Sequence, residues 1–319
     1  MGGKTALVTG ATGFIGSNLA RRLLYDGYET HILSRDIDRA WRVRDILSDL
    51  HAHEIDLRDM DGLKKVVVEV KPDYIFHLAI GGVYSGPDLS VRALFETNLI
   101  GTIYLLEASD KIDYKAFVNT GSSGEYGKKD TVMKETDMCV PANSYGVTKY
   151  AATLYASLIA KTKNKPIVTL RPFSPFGPYE DPNRLIGYAV RTALKGEELL
   201  IASPNSVRDF IYVEDIADAY MKCLAVAIKH QGEIFNIGSG REVAIKTVID
   251  KIMELSGSKS LVRWNIKPPS LGESPHWQAD ISKAKSCLDW EPRHSLAEGL
   301  QKTIAWFNKN GHFYAKLSN

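Results

Sequence analysis

The chain has 319 residues, of which 44% are hydrophobic and 24% are charged, and both fractions are ordinary for a globular protein. Its formal charge of +2 gives no reason to expect a nucleic-acid partner or an anionic membrane partner. No apolar run approaches the roughly 20 residues that span a bilayer, and no signal peptide opens the chain, so we expect a cytoplasmic protein. The length allows one large domain or two unequal ones.

The three cysteines are Cys139, Cys223 and Cys287, and they show no metal-ligand spacing. Any disulfide pairing would leave one thiol over, which favours a reducing compartment. We therefore expect buried, unreactive thiols and no metal site.

Residues 4–35 predict a strand, a glycine turn, a helix and a second strand. Thr5–Thr9 forms the first strand, the glycines follow in Gly10–Gly16, and Glu29–Leu33 forms the second strand. Glycines at these positions permit a tight turn and let backbone amides approach a pyrophosphate at the start of the helix. The sequence therefore predicts a dinucleotide site. The expected contacts in this turn are Gly10, Thr12, Gly13, Phe14, Ile15 and Gly16.

The residues after the second strand indicate which dinucleotide is bound. An acidic residue here would bind the adenosine ribose, whereas an arginine would bind a 2′-phosphate. This chain has Ser34 and Arg35, with Arg39 and Arg42 close behind. We predict that NADP(H) is preferred and that NAD(H) remains possible. The alternative is that these arginines are merely solvated.

The alternation of strands and helices continues, which favours a doubly wound parallel sheet of the α/β class. Strands are predicted at residues 53–57 and 73–79, and helices at residues 59–70 and 92–109. Asn98 lies inside the second of these helices. We expect His77 to be a packed or hydrogen-bonded histidine without a direct chemical role.

The stretch from Thr120 to Lys149 carries the candidate chemistry. Ser122 and Ser123 follow the apolar Phe117-Val118, which predicts the carboxyl end of a strand, where open α/β sheets bind ligands. Tyr145 and Lys149 lie four residues apart in a predicted helix, capped by Ser144 or Asn143, and share one face. A lysine one turn away favours the phenolate and moves the tyrosine pKa toward neutrality.

In this order and at these separations, the glycine turn, Ser122 and Tyr145-x-x-x-Lys149 resemble the extended short-chain dehydrogenase/reductase family. The relevant branch contains NAD(P)-dependent nucleotide-sugar epimerases, dehydratases and reductases. Further matches are His77-Leu-Ala79, Asn98, Arg171–Pro178, Arg208–Asp215, Phe235–Gly238 and Ala279–Lys285. The resemblance implies that Tyr145 is the acid/base, that Lys149 binds the nicotinamide ribose, and that Ser122 binds the reacting sugar oxygen. It also implies a homodimer that pairs through the helix carrying Tyr145. Further implied cofactor contacts are Asp56, Leu57, Leu78, Ala79, Asn98 and Pro172.

The second half of the chain is expected to hold the sugar nucleotide. We predict a dinucleotide-binding Rossmann domain over residues 1–172, rejoined by parts of 205–240, and a smaller, interleaved domain over 173–319. Arg208 is a candidate phosphate ligand; the alternative is a structural salt bridge with Asp209 or Glu214. Ser123 and Ser174 are further candidate substrate contacts. Helices are predicted at 183–196, 243–257 and 282–289, and from the capping box of Ser295 and Glu298 through Trp306.

The residues after Ser122 reduce the number of candidate reactions within the family. Dehydratases of the family carry Asp-Glu at the places of Ser123 and Gly124, and epimerase-reductases of the fucose-forming type carry a cysteine at the place of Gly124. Hydride transfer at C4 remains. We predict an enzyme that uses NADPH to reduce C4 of a nucleotide-linked 4-keto-6-deoxyhexose. The alternative is a 4-epimerase of a nucleotide sugar. A non-catalytic NADP-binding regulator is the third and least favoured hypothesis. Specificity is expected to lie in loops 81–90 and 179–188 and around His276-Trp277.

Overall fold

Strands and helices alternate through the first half of the chain, as the hydrophobic pattern predicts. The structure is a computed structural model and describes residues 4–81, 90–266 and 274–315. The strands, in chain order, are β1 (Thr5–Thr9), β2 (Glu29–Ser34), β3 (His51–Glu54), β4 (Tyr74–His77), β5 (Ala116–Thr120), β6 (Ile167–Pro172), β7 (Ser174–Phe176), β8 (Leu199–Ile201), β9 (Val207–Arg208), β10 (Phe210–Tyr212), β11 (Ile234–Ile237), β12 (Val243–Ala244) and β13 (Val262–Trp264). The helices are α1 (Phe14–Tyr25), α2 (Met60–Val70), α3 (Val91–Phe95), α4 (Gly101–Ser109), α5 (Ser144–Thr162), α6 (Leu185–Lys195), α7 (Val213–Cys223), α8 (Ile245–Ser256), α9 (Ser282–Leu288), α10 (Leu296–Asn310) and α11 (His312–Ala315).

Seven parallel strands form the central sheet, in the order β11-β6-β5-β4-β1-β2-β3. The order reverses at β1, where the chain continues first to β2 on one side and later to β4 on the other. This reversal leaves a crevice at the carboxyl ends of the strands, which is the usual ligand site of such sheets. The predicted doubly wound Rossmann-type fold is confirmed.

Both faces of the sheet are buried along β11, β6, β5, β4 and β1, and these strands are largely apolar, whereas β3 is polar and mostly exposed. Ala6 and Val8 of β1 belong to a core that also contains Leu23 of α1 and Tyr220 of α7. The residue between them, Leu7, faces a second core on the other side, with side chains of α2, α4 and α5. The strand period of two residues thus assigns alternate side chains to the two helical layers.

The second half of the chain builds a smaller core from α6, α8 and α10 with the short strands β7, β8 and β10. β11 leaves this part of the chain and pairs with β6 at the edge of the large sheet. Helix α7 likewise packs into the core beside α1. The division into two domains at residue 172 stays a prediction.

The bounds of three elements differ from the predicted ones, because local hydrogen bonds and strand pairing set where these elements begin and end. β3 ends at Glu54, so Asp56 and Leu57 follow the strand instead of ending it, and Asp56 accepts a hydrogen bond from the amide of Arg58 at 2.9 Å. A π turn at Glu96–Ile100 separates α3 from α4 within the predicted helix 92–109. Helix α8 begins only at Ile245, because β12 pairs with β9.

Two expectations drawn from the sequence concern the burial of the three thiols and the presence of membrane-spanning segments. Cys223 is buried, but Cys139 and Cys287 are partly exposed, so the prediction of buried thiols is wrong for two of the three. Within the described ranges, no helix combines the length and apolar character needed to cross a membrane.

Candidate functional site

A cleft of about 800 Å³ opens beside the carboxyl ends of β1, β4, β5 and β6. It joins the glycine turn, the turn after β5, the start of α5 and the segment after β6. The predicted site residues that line it are Gly10, Gly13, Phe14, Ile15, Gly16, Leu78, Ser122, Ser123, Tyr145, Pro172, Ser174 and Arg208. Residues far apart in sequence thus meet in one place.

The remaining predicted residues are absent from the lining of this cleft in the described part of the chain. They are Thr12, Ser34, Arg35, Asp56, Leu57, Ala79, Asn98 and Lys149. Arg35 is exposed just beyond the end of β2. Asp56 is paired with Arg58 at 2.7 Å, and its pKa is lowered by hydrogen bonds from Arg58 acting against partial burial. Asn98 and Lys149 are buried beneath the cleft.

The glycine turn is packed too tightly for side chains. Gly10 has a φ of +73°, and a Cβ there would lie 2.5 Å from the amide nitrogen of Ala79. A Cβ on Gly16 would lie 2.1 Å from the carbonyl oxygen of Gly10. Gly13 is the N-cap of α1, where no described side chain caps the helix and no acidic residue occupies the first turn. The amides of Phe14 and its neighbours therefore face the cleft as anion donors.

Ser122 is held by its own turn. Its Oγ accepts a hydrogen bond from the amide of Gly124 at 3.1 Å, and its amide donates to Oε1 of Glu125 at 2.8 Å. These two bonds form a capping box around a short 3₁₀ turn at Ser123–Glu125. Because the Ser122 oxygen already accepts a bond, its hydroxyl proton can be donated into the cleft.

Glu125 is fully buried, and its carboxylate accepts hydrogen bonds from several neighbours at once. Its Oε2 accepts a bond from Nε of Arg171 at 2.7 Å, and its Oε1 also accepts one from Thr153 at 3.0 Å. The same carboxylate favours the charged form of Lys149. Glu125 is not among the residues predicted from the sequence, although it lies in the turn that begins at Ser122.

Helix α5 carries Tyr145 in its first turn, and Asn143 caps this helix by accepting the amide of Gly146 at 2.9 Å. Tyr145 lines the cleft, and a Cβ on Gly124 would lie 3.8 Å from its ring. Lys149 lies one turn further on and is 1% exposed. Burial lowers the pKa of Lys149 to about 8, against the attraction of Glu125.

His77 has the structural role that its sequence context predicts. The Thr102 hydroxyl donates to the carbonyl of Asn98 at 2.7 Å, so it accepts the Nε2 proton of His77 at 2.8 Å. His77 Nδ1 then accepts from Thr9 Oγ1 at 2.7 Å, and that oxygen accepts the amide of Ala79 at 3.2 Å. Burial lowers the pKa of His77 to about 3, which keeps this ring neutral.

Asn98 extends the same polar chain toward α5. It lies in the π turn, where its Oδ1 accepts the amide of Gly81 at 2.8 Å and its Nδ2 donates to Thr148 Oγ1 at 3.0 Å. Thr148 in turn donates to the carbonyl of Tyr145 at 2.9 Å. Asn98 therefore positions the helix that carries Tyr145 and Lys149.

The other wall of the cleft comes from the second half of the chain. Arg208 donates to the carbonyl of Val207 at 2.7 Å, and its guanidinium lies 5.2 Å from the ring of Trp277. The Nε1 donor of Trp277 is buried without a hydrogen-bond partner among the described residues. Such a donor suits a ligand oxygen. Arg184 also lines this wall, within the loop 179–188 that the sequence marks for specificity. Residues 82–89 of the other specificity loop lie outside the described residues.

The two partners considered for an Arg208 salt bridge are engaged elsewhere. Asp209 accepts the amides of Ser239, Gly240 and Ala279, and Glu214 pairs with Lys302 at 3.1 Å. Burial raises the pKa of Asp209 to about 6, while these hydrogen bonds oppose the rise.

The chain is similar to proteins of one known family along most of its length. Residues 6–238 match the model of the NAD dependent epimerase/dehydratase family. The chain belongs to this family. It is 31% identical to a UDP-glucose 4-epimerase of Mycolicibacterium smegmatis, with 94% of this chain and 97% of that protein covered.

Solved structures of the family place the resemblance over nearly the whole fold. A UDP-glucose 4-epimerase of Thermotoga maritima, crystallised with UDP-glucose, is 29% identical and superposes with a TM-score of 0.87 over 96% of this chain and 99% of that one. A UDP-glucuronic acid 4-epimerase of Bacillus cereus, in complex with UDP-glucuronic acid and NAD, is 28% identical with a TM-score of 0.85 over the same shares. The predicted membership of the extended short-chain dehydrogenase/reductase group is confirmed. The chain is an enzyme of the NAD-dependent nucleotide-sugar type.

The site fits the dinucleotide that the family name implies. The start of α1 has no side-chain cap among the described residues, and a Cβ on Gly10 or Gly16 would collide with backbone atoms of the turn. Together they form an anion cradle. Buried Lys149 and the cleft residue Tyr145 lie where the strands end, beside this cradle.

Proposed function

We propose that this enzyme is a nucleotide-sugar 4-epimerase. The observation that carries the proposal is the turn at Ser122–Glu125, which brings a hydroxyl to Tyr145 but offers neither a carboxylate nor a thiol at positions 123 and 124. The site therefore holds the groups for proton and hydride transfer at one carbon. The relatives named as 4-epimerases support this alternative better than the 4-ketoreductase predicted from the sequence.

The residues of the cleft suit such an inversion. A nicotinamide dinucleotide would be held by the glycine turn Gly10–Gly16 and by Lys149, and it would supply a reversible hydride acceptor for C4. Tyr145 takes the proton of the 4-hydroxyl while Ser122 donates a hydrogen bond to the same oxygen. Lys149 supports the phenolate by its positive charge. When the 4-keto sugar has turned its other face to the cofactor, Tyr145 returns the proton and no net oxidation remains.

The substrate diphosphate is assigned to Arg208, with Ser174 and Ser123 as further polar contacts and Trp277 Nε1 as a donor. This assignment is supported by their common place in the cleft. It also gives a use to the otherwise unpaired Trp277 donor.

The preference for NADP(H) over NAD(H) is also a proposal. Arg42 donates to the carbonyl of Tyr179 at 2.8 Å, and Arg39 pairs with Asp36 at 3.3 Å. Arg35 follows Ser34 directly at the strand end and is exposed, and its charge also acts on the carboxylate of Asp56. We assign the 2′-phosphate to Arg35, with NAD(H) as the second cofactor.

A homodimer through α5 is proposed for the assembly. Leu154 and Leu158 lie one turn apart on this helix and are 52% and 53% exposed. Pairing with a second copy would remove this apolar stripe from water. A cytoplasmic location is proposed as well.

The decisive experiment separates epimerase from reductase. The enzyme is incubated with UDP-, dTDP-, GDP- and CDP-linked sugars and with their 4-keto forms, and both the products and the NAD(P)H absorbance are followed. The proposal expects a C4 epimer of a 4-hydroxy sugar with no net change in absorbance. Stoichiometric loss of NADPH with a 4-keto sugar, and no epimer, would establish the reductase instead.

A further inference from the structure

Three histidines and a glutamate lie together on β3, an edge strand of the sheet, and on its inner neighbour β2, outside the lining of the cleft. Glu29 and His31 alternate along β2, and His51 and His53 alternate along β3. His31 and His51 are register partners in this parallel pair. All four side chains therefore emerge on one face, toward the amino ends of the strands, whereas the cleft lies at the carboxyl ends.

Three of these side chains direct ligand atoms at a common point. Nε2 of His31 is 3.3 Å from Oε1 of Glu29, and Nε2 of His51 is 3.8 Å from the same oxygen. All three atoms lie within 4.8 Å of one another. Ligands on one tetrahedral zinc ion, each at about 2.0–2.1 Å from the metal, are about 3.3–3.4 Å apart. The cluster is therefore close to the spacing of a metal site.

Neighbouring groups hold the first two ligands in place. Nδ1 of His31 lies 2.9 Å from Nε2 of His53, so a proton on Nδ1 can be donated to His53 and leave the Nε2 lone pair for a metal. The other oxygen of Glu29 accepts a bond from Thr5 Oγ1 at 3.4 Å. Support of this kind, from a second layer of hydrogen bonds, is typical of metal-binding histidines.

We propose that Glu29, His31 and His51 bind a divalent transition-metal ion of the zinc class, with His53 as a positioning residue. Two imidazoles and one carboxylate suit zinc and its neighbours, whereas calcium and magnesium require mainly oxygen ligands. The cavity around the cluster measures about 620 Å³ and is also lined by Glu69, so water can complete the coordination. The His31 side chain is 11% exposed and that of His51 is 58% exposed, so His51 can close onto an ion held by the other two.

The test is calorimetric titration of the tag-free full-length protein with Zn²⁺. We expect one saturable equivalent in the unaltered protein and an affinity at least about ten-fold weaker in His51→Ala and in Glu29→Gln. His312→Ala removes an exposed histidine outside the cluster and is the matched control. It should bind as the unaltered protein does.

A second measurement guards against misfolded variants. Zn²⁺ should raise the thermal midpoint of the unaltered protein and of His312→Ala, and it should raise that of His51→Ala much less. Circular dichroism confirms that each variant is folded before titration. If the unaltered protein binds no saturable Zn²⁺, or if His51→Ala binds as tightly as His312→Ala, the cluster is a hydrogen-bonded histidine group and the proposal fails.

Discussion

Glu125 and Arg171 form a buried ion pair, with Nε of Arg171 lying 2.7 Å from Oε2 of Glu125. Their side chains are 0% and 1% exposed. The second oxygen of the carboxylate holds the amide of Ser122 at 2.8 Å. The same pair that neutralises charge inside the fold thus also fixes the turn that presents the Ser122 hydroxyl.

We expect Arg171→Met to lower the free energy of unfolding by about 3–5 kcal/mol, because it leaves the carboxylate of Glu125 buried without its partner. Urea unfolding monitored by tryptophan fluorescence measures this change. Adding Glu125→Leu to the same protein should recover part of the loss. The control is Asp250→Asn, which breaks an exposed pair with Lys246 and should change stability by less than about 0.5 kcal/mol. Equal losses of unfolding free energy in Arg171→Met and Asp250→Asn would show that the buried pair stabilises the fold no more than the exposed pair does.

Replacing Tyr145 by Phe should reduce turnover by about 10²–10⁴-fold, since only the transferable proton is removed. Cofactor affinity should stay nearly constant, which fluorescence titration can verify. Tyr150→Phe is the matched control on the same helix, because Tyr150 is absent from the described lining of the cleft. A normal rate in Tyr145→Phe would assign the proton to another group.

The buried Lys149 should leave a signature in the pH dependence of stability. Its pKa falls from an ordinary value of 10.5 to about 8, mainly through burial. Between these values the unfolded chain binds more protons than the folded one, so this residue makes stability rise with pH, by about 3 kcal/mol in total. Lys149→Met removes that rise.

Urea unfolding of both proteins at a series of pH values tests this. The stability advantage of Lys149→Met over the unaltered protein should be largest near pH 7 and should shrink as the pH rises above about 8. The contributions of the other titrating groups are shared by both proteins, so they cancel in the difference between the two free energies of unfolding. Parallel stability curves would show that the folded protein does not depress the pKa of Lys149.

Arg35→Ala should weaken NADPH binding and leave NADH binding nearly unchanged, because it removes a charge-assisted contact to the 2′-phosphate. Fluorescence titration with NADPH and with NADH measures the ratio of the two dissociation constants. Arg39→Ala is the control, since Arg39 pairs with Asp36, and its effect should be smaller. An unaltered protein that binds NADH as tightly as NADPH would contradict the proposed preference.

Leu158→Lys should convert the proposed dimer to a monomer by placing a charge on the apolar stripe of α5. Sedimentation velocity at micromolar protein concentration distinguishes the two states. Leu261→Lys alters a leucine that is 62% exposed elsewhere and should leave the dimer intact. A monomeric unaltered protein would exclude the assembly.

The parts of the site that the sequence predicts are those with short, local signals. The glycine turn owes its spacing to backbone contacts within one strand-turn-helix unit, and Tyr145 and Lys149 meet because a helix repeats every 3.6 residues. The sheet could be predicted for a similar reason, since its inner strands are apolar and alternate with helices along the first half of the chain.

The parts that escaped prediction depend on register and on distant packing. His31 and His51 meet only because β2 and β3 pair in one particular register, which the sequence does not state. Glu125 reaches Arg171 across the end of the sheet. The end of β3 was misplaced because the turn after it is set by a side chain, Asp56, and not by hydrophobic period.

The pairing of β11 with β6 has a consequence for the order in which the protein can fold while it is being synthesised. Until Ile237 has left the ribosome, β6 lacks its outer neighbour, and an entirely buried strand stands at an open edge. Such an edge can pair with another chain. The nascent chain therefore passes through an interval, from Pro172 to Ile237, in which the open edge of β6 can aggregate with another chain or be covered by a chaperone.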